Sequence, residues 1–290
     1  LDVVPTLDQI IERSDILPFE FAEGAAGIMY TCNGGFIDFG HLLDQIELTH
    51  YYHHYLTKGG ANTETSTIPI YGFDKGTVTF KQKVPEADRA TTAASIVFDE
   101  SVFYELFSYW ILSPGMHNSG FSPEDLVSNY IGVRVAERAL QSTNKRFERA
   151  VDDELAAVLD LLEPRTKAQT QAAFDAINGT WVESTTSRLV FFDDDFLFRR
   201  NFNFSPISPC FVTAAGTGCS GTPAFPSSIP SSFPPTITDR YEAEFKVKND
   251  DAKAKLGATV KRSEFANKLT AILTDAEGRP HGPGSFQCPP

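Results

Sequence analysis

The chain contains no apolar run approaching the roughly 20 residues that a bilayer-spanning helix needs; its longest candidates, such as Ser101–Leu112, are short and carry Glu105. Basic residues are scarce. Lys and Arg number 25 against 38 Asp and Glu, for a formal net charge of −13. That balance excludes the clustered cations that a phosphate backbone or an anionic membrane surface selects, so neither a nucleic-acid partner nor a transmembrane segment is expected. The Gly-x-Ser-x-Gly elbow of serine hydrolases is missing. So is a second Glu-x-x-His pair, which a bundle holding two metal ions would need, and no internal repeat is present. Cysteine is rare but even in number: Cys32, Cys210, Cys219 and Cys288 allow two disulfides in three pairings. Cys210 with Cys219 closes most easily, across Gly216 and Gly218, and Cys32 with Cys288 would tie the carboxyl end to the centre. Four free thiols in a cytosolic protein is the competing reading. The Ser/Thr/Pro-rich surroundings of Cys210 favour oxidation and export. The chain begins at Leu1 with no signal-like start, and reading it as a processed mature protein fits a secreted, extracellular or periplasmic location.

What is present is ordinary for a globular protein, with 41% hydrophobic and 22% charged residues, and 290 residues suffice for a full core. The organising stretch is Tyr30-Thr-Cys-Asn-Gly-Gly-Phe-Ile-Asp-Phe-Gly-His41 and the run to Tyr55. A strand over Ala25–Thr31 enters a turn where Gly34 and Gly35 permit positive φ or close approach. A helix then spans His41–Leu56, begins near Asp38, and stops at Gly59-Gly60. Thr63–Val84 reads as a β-hairpin, and Pro85–Arg89 starts an aromatic helix over Ala90–Leu112. Ser122-Pro-Glu-Asp125 is a helix start, with Ser122 as N-cap and Asp125 in the capping-box position. Helices over Asn144–Leu162 and Arg165–Ile177 follow, then strands within Thr180–Phe204. Ser205–Asp239 reads as a long surface excursion stapled at Cys210–Cys219, before a strand at Arg240–Lys248 and a helix at Glu264–Ala276. The fold expected is α+β: a helix-rich single domain with a small, mostly antiparallel sheet and a long Ser/Pro-rich loop. It divides into a main unit (1–204), the loop (205–239) and a completing C-terminal part (240–290).

Four kinds of chemistry compete. Glu47, His50 and His54 share a helical face that could hold a divalent metal; a solvated histidine face is the plainer reading. His41, Asp38, Asp44 and Glu105 could do acid–base work, with Asp44 one turn from His41 to fix its tautomer. Glu105, set among Phe103, Tyr104, Phe107, Tyr109 and Trp110, must find a partner or keep a proton; a structural hydrogen bond would serve as well as catalysis. Cys32 could be a nucleophile for His41, although it is also a disulfide candidate. Arg199 and Arg200, or Arg134 and Arg138, could hold an anion, or neutralise acids such as Asp193-Asp-Asp195.

Gly34-Gly-Phe-Ile-Asp-x-x-His41 with Asp44 and Thr49, Val84-Pro85 through Tyr104-Glu-Leu-x-x-x-Trp110, Phe121-Ser-Pro-Glu-Asp-x-x-Ser-Asn-x-x-Gly132 and Leu197-x-Arg-Arg-Asn-Phe202 occur in this order. Together they resemble the signature of the bacterial domain of unknown function 4056 family, over roughly residues 20 to 212. The resemblance implies an exported or lipoprotein-type bacterial protein with no assigned activity. It also implies that Asp38, His41, Glu105, Glu124, Asp125, Ser128, Asn129, Arg199 and Arg200 sit at shared motif positions, the last six as a binding set. Tyr104 stands where relatives tend to carry His. His50, His53 and His54 fall outside the pattern, and the cysteine-bearing loop looks particular to this chain. The expectation is a non-enzymatic exported protein, a binding module or a self-associating or partner-bound subunit of an extracellular assembly. The alternative is a secreted hydrolase-like enzyme using His41 with Glu105 or Asp44, with or without a metal.

Overall fold

The structure, a computed structural model, describes residues 10–17, 27–60, 67–70, 76–110, 120–181, 201 and 209–277, with 60, 67–70 and 277 described through the backbone alone. The hairpin at the centre of the sequence forms as its glycines dictate. Strands β1 (Ile28–Thr31) and β2 (Gly35–Asp38) pair antiparallel. Gly35 has φ +71°, and a Cβ there would lie 2.5 Å from the Cys210 carbonyl oxygen, so the position needs glycine both for its conformation and for the chain packed against it. Thr31 closes the turn by donating its hydroxyl to the Gly35 carbonyl and accepting the Gly34 N–H.

Asp38 ends β2 and caps helix α1 (Phe39–Tyr55), its carboxylate accepting the His41 N–H at 3.1 Å. Helix α1 packs on α2 (Arg89–Ser108) and most extensively on α3 (Asp125–Gln141), with α4 (Phe147–Leu162) against α3 and α5 (Lys167–Ile177) against β1. The α1–α3 crossing centres on Gly132, where a Cβ would sit 2.3 Å from the Leu42 carbonyl oxygen. Helix α2 is apolar almost all round and buried, as its aromatic content requires. The second sheet is antiparallel, ordered β3 (Thr67–Ile70), β4 (Gly76–Phe80), β5 (Tyr241–Lys246), β6 (Thr259–Lys261). Short helix α6 (Pro235–Thr238) precedes β5, α7 (Asp250–Leu256) links β5 to β6, and α8 (Phe265–Glu277) packs on α2.

Strand β5 alternates, burying Tyr241, Ala243 and Phe245, and Phe245 stacks on Phe103 of α2 at 4.5 Å. The same contact carries a polar seam. Tyr241 donates its hydroxyl to Asp99 and is joined to Ser95, while Arg262 pairs with Asp99 at 2.8 Å. Burial pushes Asp99 up to about 6, against the pull of Arg262 and the Tyr241 hydrogen bond.

The α+β reading holds, with two small antiparallel sheets. Helix α2 closes at Ser108, and Ile111 and Leu112 lie outside the described residues, as do residues 182–200 and 202–204 of the strand region expected over Thr180–Phe204. Residues 249–261 carry α7 and β6, which the sequence reading did not anticipate. Two local expectations are corrected. Ser122 does not cap α3: its hydroxyl goes to the Glu124 carboxylate at 2.7 Å, Glu124 occupies the N-cap position, and Asp125 is left to point elsewhere. The cysteine pairing also differs. Cys219 is bonded to Cys32 across a sequence separation of 187, and Cys210 is disulfide-bonded as well. The segment from residue 209 is therefore fastened to the β1–β2 turn rather than to itself. Tyr30 assists, its hydroxyl donating to the Val212 carbonyl and accepting the Val212 N–H.

Candidate functional site

Three ionisable side chains from three helices meet where α1 and α3 begin and α2 ends. Glu105, in the last turn of α2, is 1% exposed. Its Oε2 accepts the N–H of Phe121 at 2.6 Å. Phe121 is held at φ +65°, a conformation costly for a bulky side chain, and its carbonyl accepts the Asn201 N–H at 2.8 Å. A Cβ at Gly120 would sit 2.7 Å from the Glu105 carbonyl oxygen, so the incoming chain runs directly over the end of α2. The Glu105 carboxyl also lies near that of Asp125, the first residue of α3, and Asp125 acts on its ionisation. Asp125 Oδ1 in turn lies 3.8 Å from His41 Nδ1, and the His41 side chain remains 37% exposed.

Two buried carboxyls close together disfavour ionisation of both at once. Burial drives the Glu105 carboxyl well above its usual range, and the charge of Asp125 adds to it, against the stabilising Phe121 N–H. Burial also raises Asp125 to about 7, opposed by His41 and assisted by Glu124 and Asp38. For His41, burial pulls downward, but Asp125, Asp38 and Glu124 outweigh it and the imidazole is raised above 6.5. From core to surface the order is an acid whose pKa is raised well above its usual range, a second acid raised to about 7, and a partly exposed imidazole. This arrangement can store a proton and pass charge between a buried carboxyl and a group at the surface.

His41 and Glu105, expected to meet directly, are joined by no hydrogen bond or ion pair; Asp125 lies near both. Asp44, expected to orient His41, makes no hydrogen bond or ion pair to it among the described contacts; partial desolvation raises its pKa, His41 opposes this, and Glu47 and Asp38 add to it. Asp125 therefore lies beside the imidazole, where the sequence reading expected Asp44 or Glu105. The signal was there in Glu124-Asp125 preceding an apolar helix, but a capping box explained the acids too easily. Ser128, Glu124 and Asn129 are buried in the same turn of α3. Ser128 accepts the Asp38 N–H, and Asn129 Oδ1 meets no hydrogen-bond donor among the described residues.

Arg199 and Arg200 lie outside the described residues, although the adjacent Asn201 is buried against Phe121. Arg134 and Arg138 do not form an anion site. Arg134 pairs with Glu137 and lies over the rings of Tyr130 and Phe233, 5.4 Å and 4.5 Å from their centres. Arg138 donates to the Ser228 carbonyl at 2.8 Å, and Tyr130 donates to the Pro230 carbonyl. These side chains clamp the Ser/Pro-rich segment onto α3.

The expected metal face is not assembled either. His50 stacks on Phe147 at 4.2 Å and its pKa is lowered by burial, His54 is exposed, and no three His, Cys, Asp or Glu side chains among the described residues gather to hold an ion. Cys32, bonded to Cys219, has no thiolate to offer.

The fold and site thus define an α+β protein with two buried acids, Glu105 and Asp125, set behind a partly exposed histidine. The sequence pattern of the family described as protein of unknown function (DUF4056) matches residues 13–206, and the chain belongs to that family. The match takes in His41, Glu105 and Asp125 and ends before Cys210. No curated protein and no solved structure matches the chain.

Proposed function

We propose that this protein is an acid–base enzyme, hydrolytic in class, in which His41 exchanges a proton with the substrate or with an attacking water. In this reading Asp125 holds and balances the imidazole, and Glu105 keeps the pair's proton. The observation that carries it is the partly exposed His41 imidazole 3.8 Å from the buried Asp125 carboxylate, with the buried Glu105 acid behind it. A purely structural acceptor for the Phe121 N–H needs one carboxyl or amide; a second acid behind it only adds repulsion and desolvation. The raised His41 pKa moves its transition towards neutral pH, which suits a group that must take up and return a proton. Water is the nucleophile in this scheme, since Cys32 is oxidised and the Ser122 and Ser128 hydroxyls are both given to Glu124.

The Cys32–Cys219 disulfide supports a secreted or periplasmic home for such an enzyme. The non-enzymatic alternative, a binding module or assembly subunit, relied on the Ser/Pro-rich segment as a contact surface. Ile229 and Phe233 of that segment are buried in the chain's own core, which weakens it. The test is a screen of ester, amide and glycoside substrates with wild type and His41→Asn side by side. Turnover in wild type that falls by about a hundredfold or more in the variant is expected. No turnover in wild type, or equal turnover in both, overturns the proposal.

A further inference from the structure

We infer that Ser128 is the positioning residue of this site: its hydroxyl fastens the end of β2 to the first turn of α3 and thereby sets the spacing between His41 and Asp125. The inference rests on the acid–base reading of that pair.

Ser128 is completely buried one turn into α3. Its hydroxyl donates to the Glu124 carbonyl at 2.7 Å, four residues back. Back-bonding of this kind uses the only hydroxyl proton and leaves the oxygen to act as an acceptor. That oxygen receives the Asp38 N–H at 2.9 Å. Asp38 in turn holds the first turn of α1 by accepting the His41 N–H at 3.1 Å. One hydroxyl therefore connects the backbone immediately before Asp125 to the residue that caps the helix carrying His41.

The close approach at Gly132 and Leu42 fixes the separation of α1 and α3 further along, at the crossing. At their starts α3 has no side-chain cap, because Ser122 is engaged with the Glu124 carboxylate. The groups acting on the His41 charge come from both sides of this joint: Asp38 and Asp44 from its own segment, Asp125 and Glu124 from α3. The 3.8 Å separation of His41 Nδ1 and Asp125 Oδ1 is thus a property of the joint as well as of the two side chains.

The experiment follows the His41 imidazole by NMR pH titration in wild type, Ser128→Ala, Ser128→Cys, Ser128→Thr, Asp125→Asn and Ser128→Ala/Asp125→Asn. Ser128→Cys fills the site while offering only a weak hydrogen-bonding thiol, and covers the case in which Ser128→Ala does not fold. Loss of the joint removes attraction while burial remains, so Ser128→Ala and Ser128→Cys should lower the His41 pKa by about one unit. Ser128→Thr, which keeps the hydroxyl, should stay near wild type. In the Asp125→Asn background Ser128→Ala should add a clearly smaller shift, because the residue acts mainly through Asp125 and only the Glu124 and Asp38 charges remain. A His41 titration unchanged by Ser128→Ala and Ser128→Cys, or shifted equally with and without Asp125, overturns the inference while leaving the acid–base reading intact. A wild-type His41 that titrates at or below its ordinary value and ignores Asp125→Asn overturns the acid–base reading, and the positioning role with it.

Discussion

Replacing Asp125 with Asn should change how stability depends on pH, not merely how large it is. Asp125 is buried beside Glu105, and its pKa in the folded chain is pushed up from 3.8 to about 7. A carboxyl whose folded-state pKa is raised binds its proton more tightly when folded. Its contribution is complete below the unfolded value and is lost as pH rises through the folded value. Roughly three pKa units at about 1.4 kcal/mol each give a loss of about 4 kcal/mol between about pH 4 and pH 8. His41 carries the same sign, since its raised pKa makes its contribution disappear as pH climbs above 6.5. Asp99 adds to the trend in wild type, because its pKa is raised to about 6, but it is untouched by the substitution and cancels in the comparison. Urea denaturation of wild type and Asp125→Asn across this range provides the measurement. The variant should gain on wild type steadily as pH rises, by a total on the order of 4 kcal/mol. A difference between the two proteins that does not vary with pH would refute the account of Asp125 as a buried acid that keeps its proton in the folded chain.

Two structural predictions accompany it. Gly132→Ala places a Cβ 2.3 Å from the Leu42 carbonyl oxygen and must push α1 from α3; a loss of about 1–3 kcal/mol is expected, read as a fall in the urea midpoint, and an unchanged midpoint would contradict the close crossing. Cys32→Ser opens a covalent loop spanning a separation of 187 residues, for which chain entropy gives up to about 5 kcal/mol. Denaturation with and without reductant checks it, since reductant should narrow the gap between wild type and variant.

Much of the fold was legible because local chemistry and tertiary context agree. The glycine turn, the Asp38 cap, the stop at Gly59-Gly60 and the alternation in β4 and β5 are each written in short stretches of sequence. Glu105 was legible for the same reason, as an acid among rings. Its partner was not. A Ser-Pro-Glu-Asp start predicts a capping box on local grounds, and only the arrival of α2 alongside α3 turns Asp125 towards another acid instead. The cysteines failed differently. Nearness in sequence favoured Cys210 with Cys219, but the Gly35 turn packs against residue 210 and the Tyr30 hydroxyl holds Val212, which carries Cys219 to Cys32. Helix α7 and strand β6 are short, and their pairing depends on β5 already being in place.

The antiparallel sheet also bears on how the gene can be cut. Strand β4 lies within the stretch shared with relatives, while its neighbour β5 begins at Tyr241, well past residue 206. An expression fragment trimmed to the shared stretch would strip β4 of that hydrogen-bonding partner and remove Phe245 from its place against Phe103. For this chain, the limits of recognisable kinship and the limits of a self-sufficient folding unit are two different boundaries.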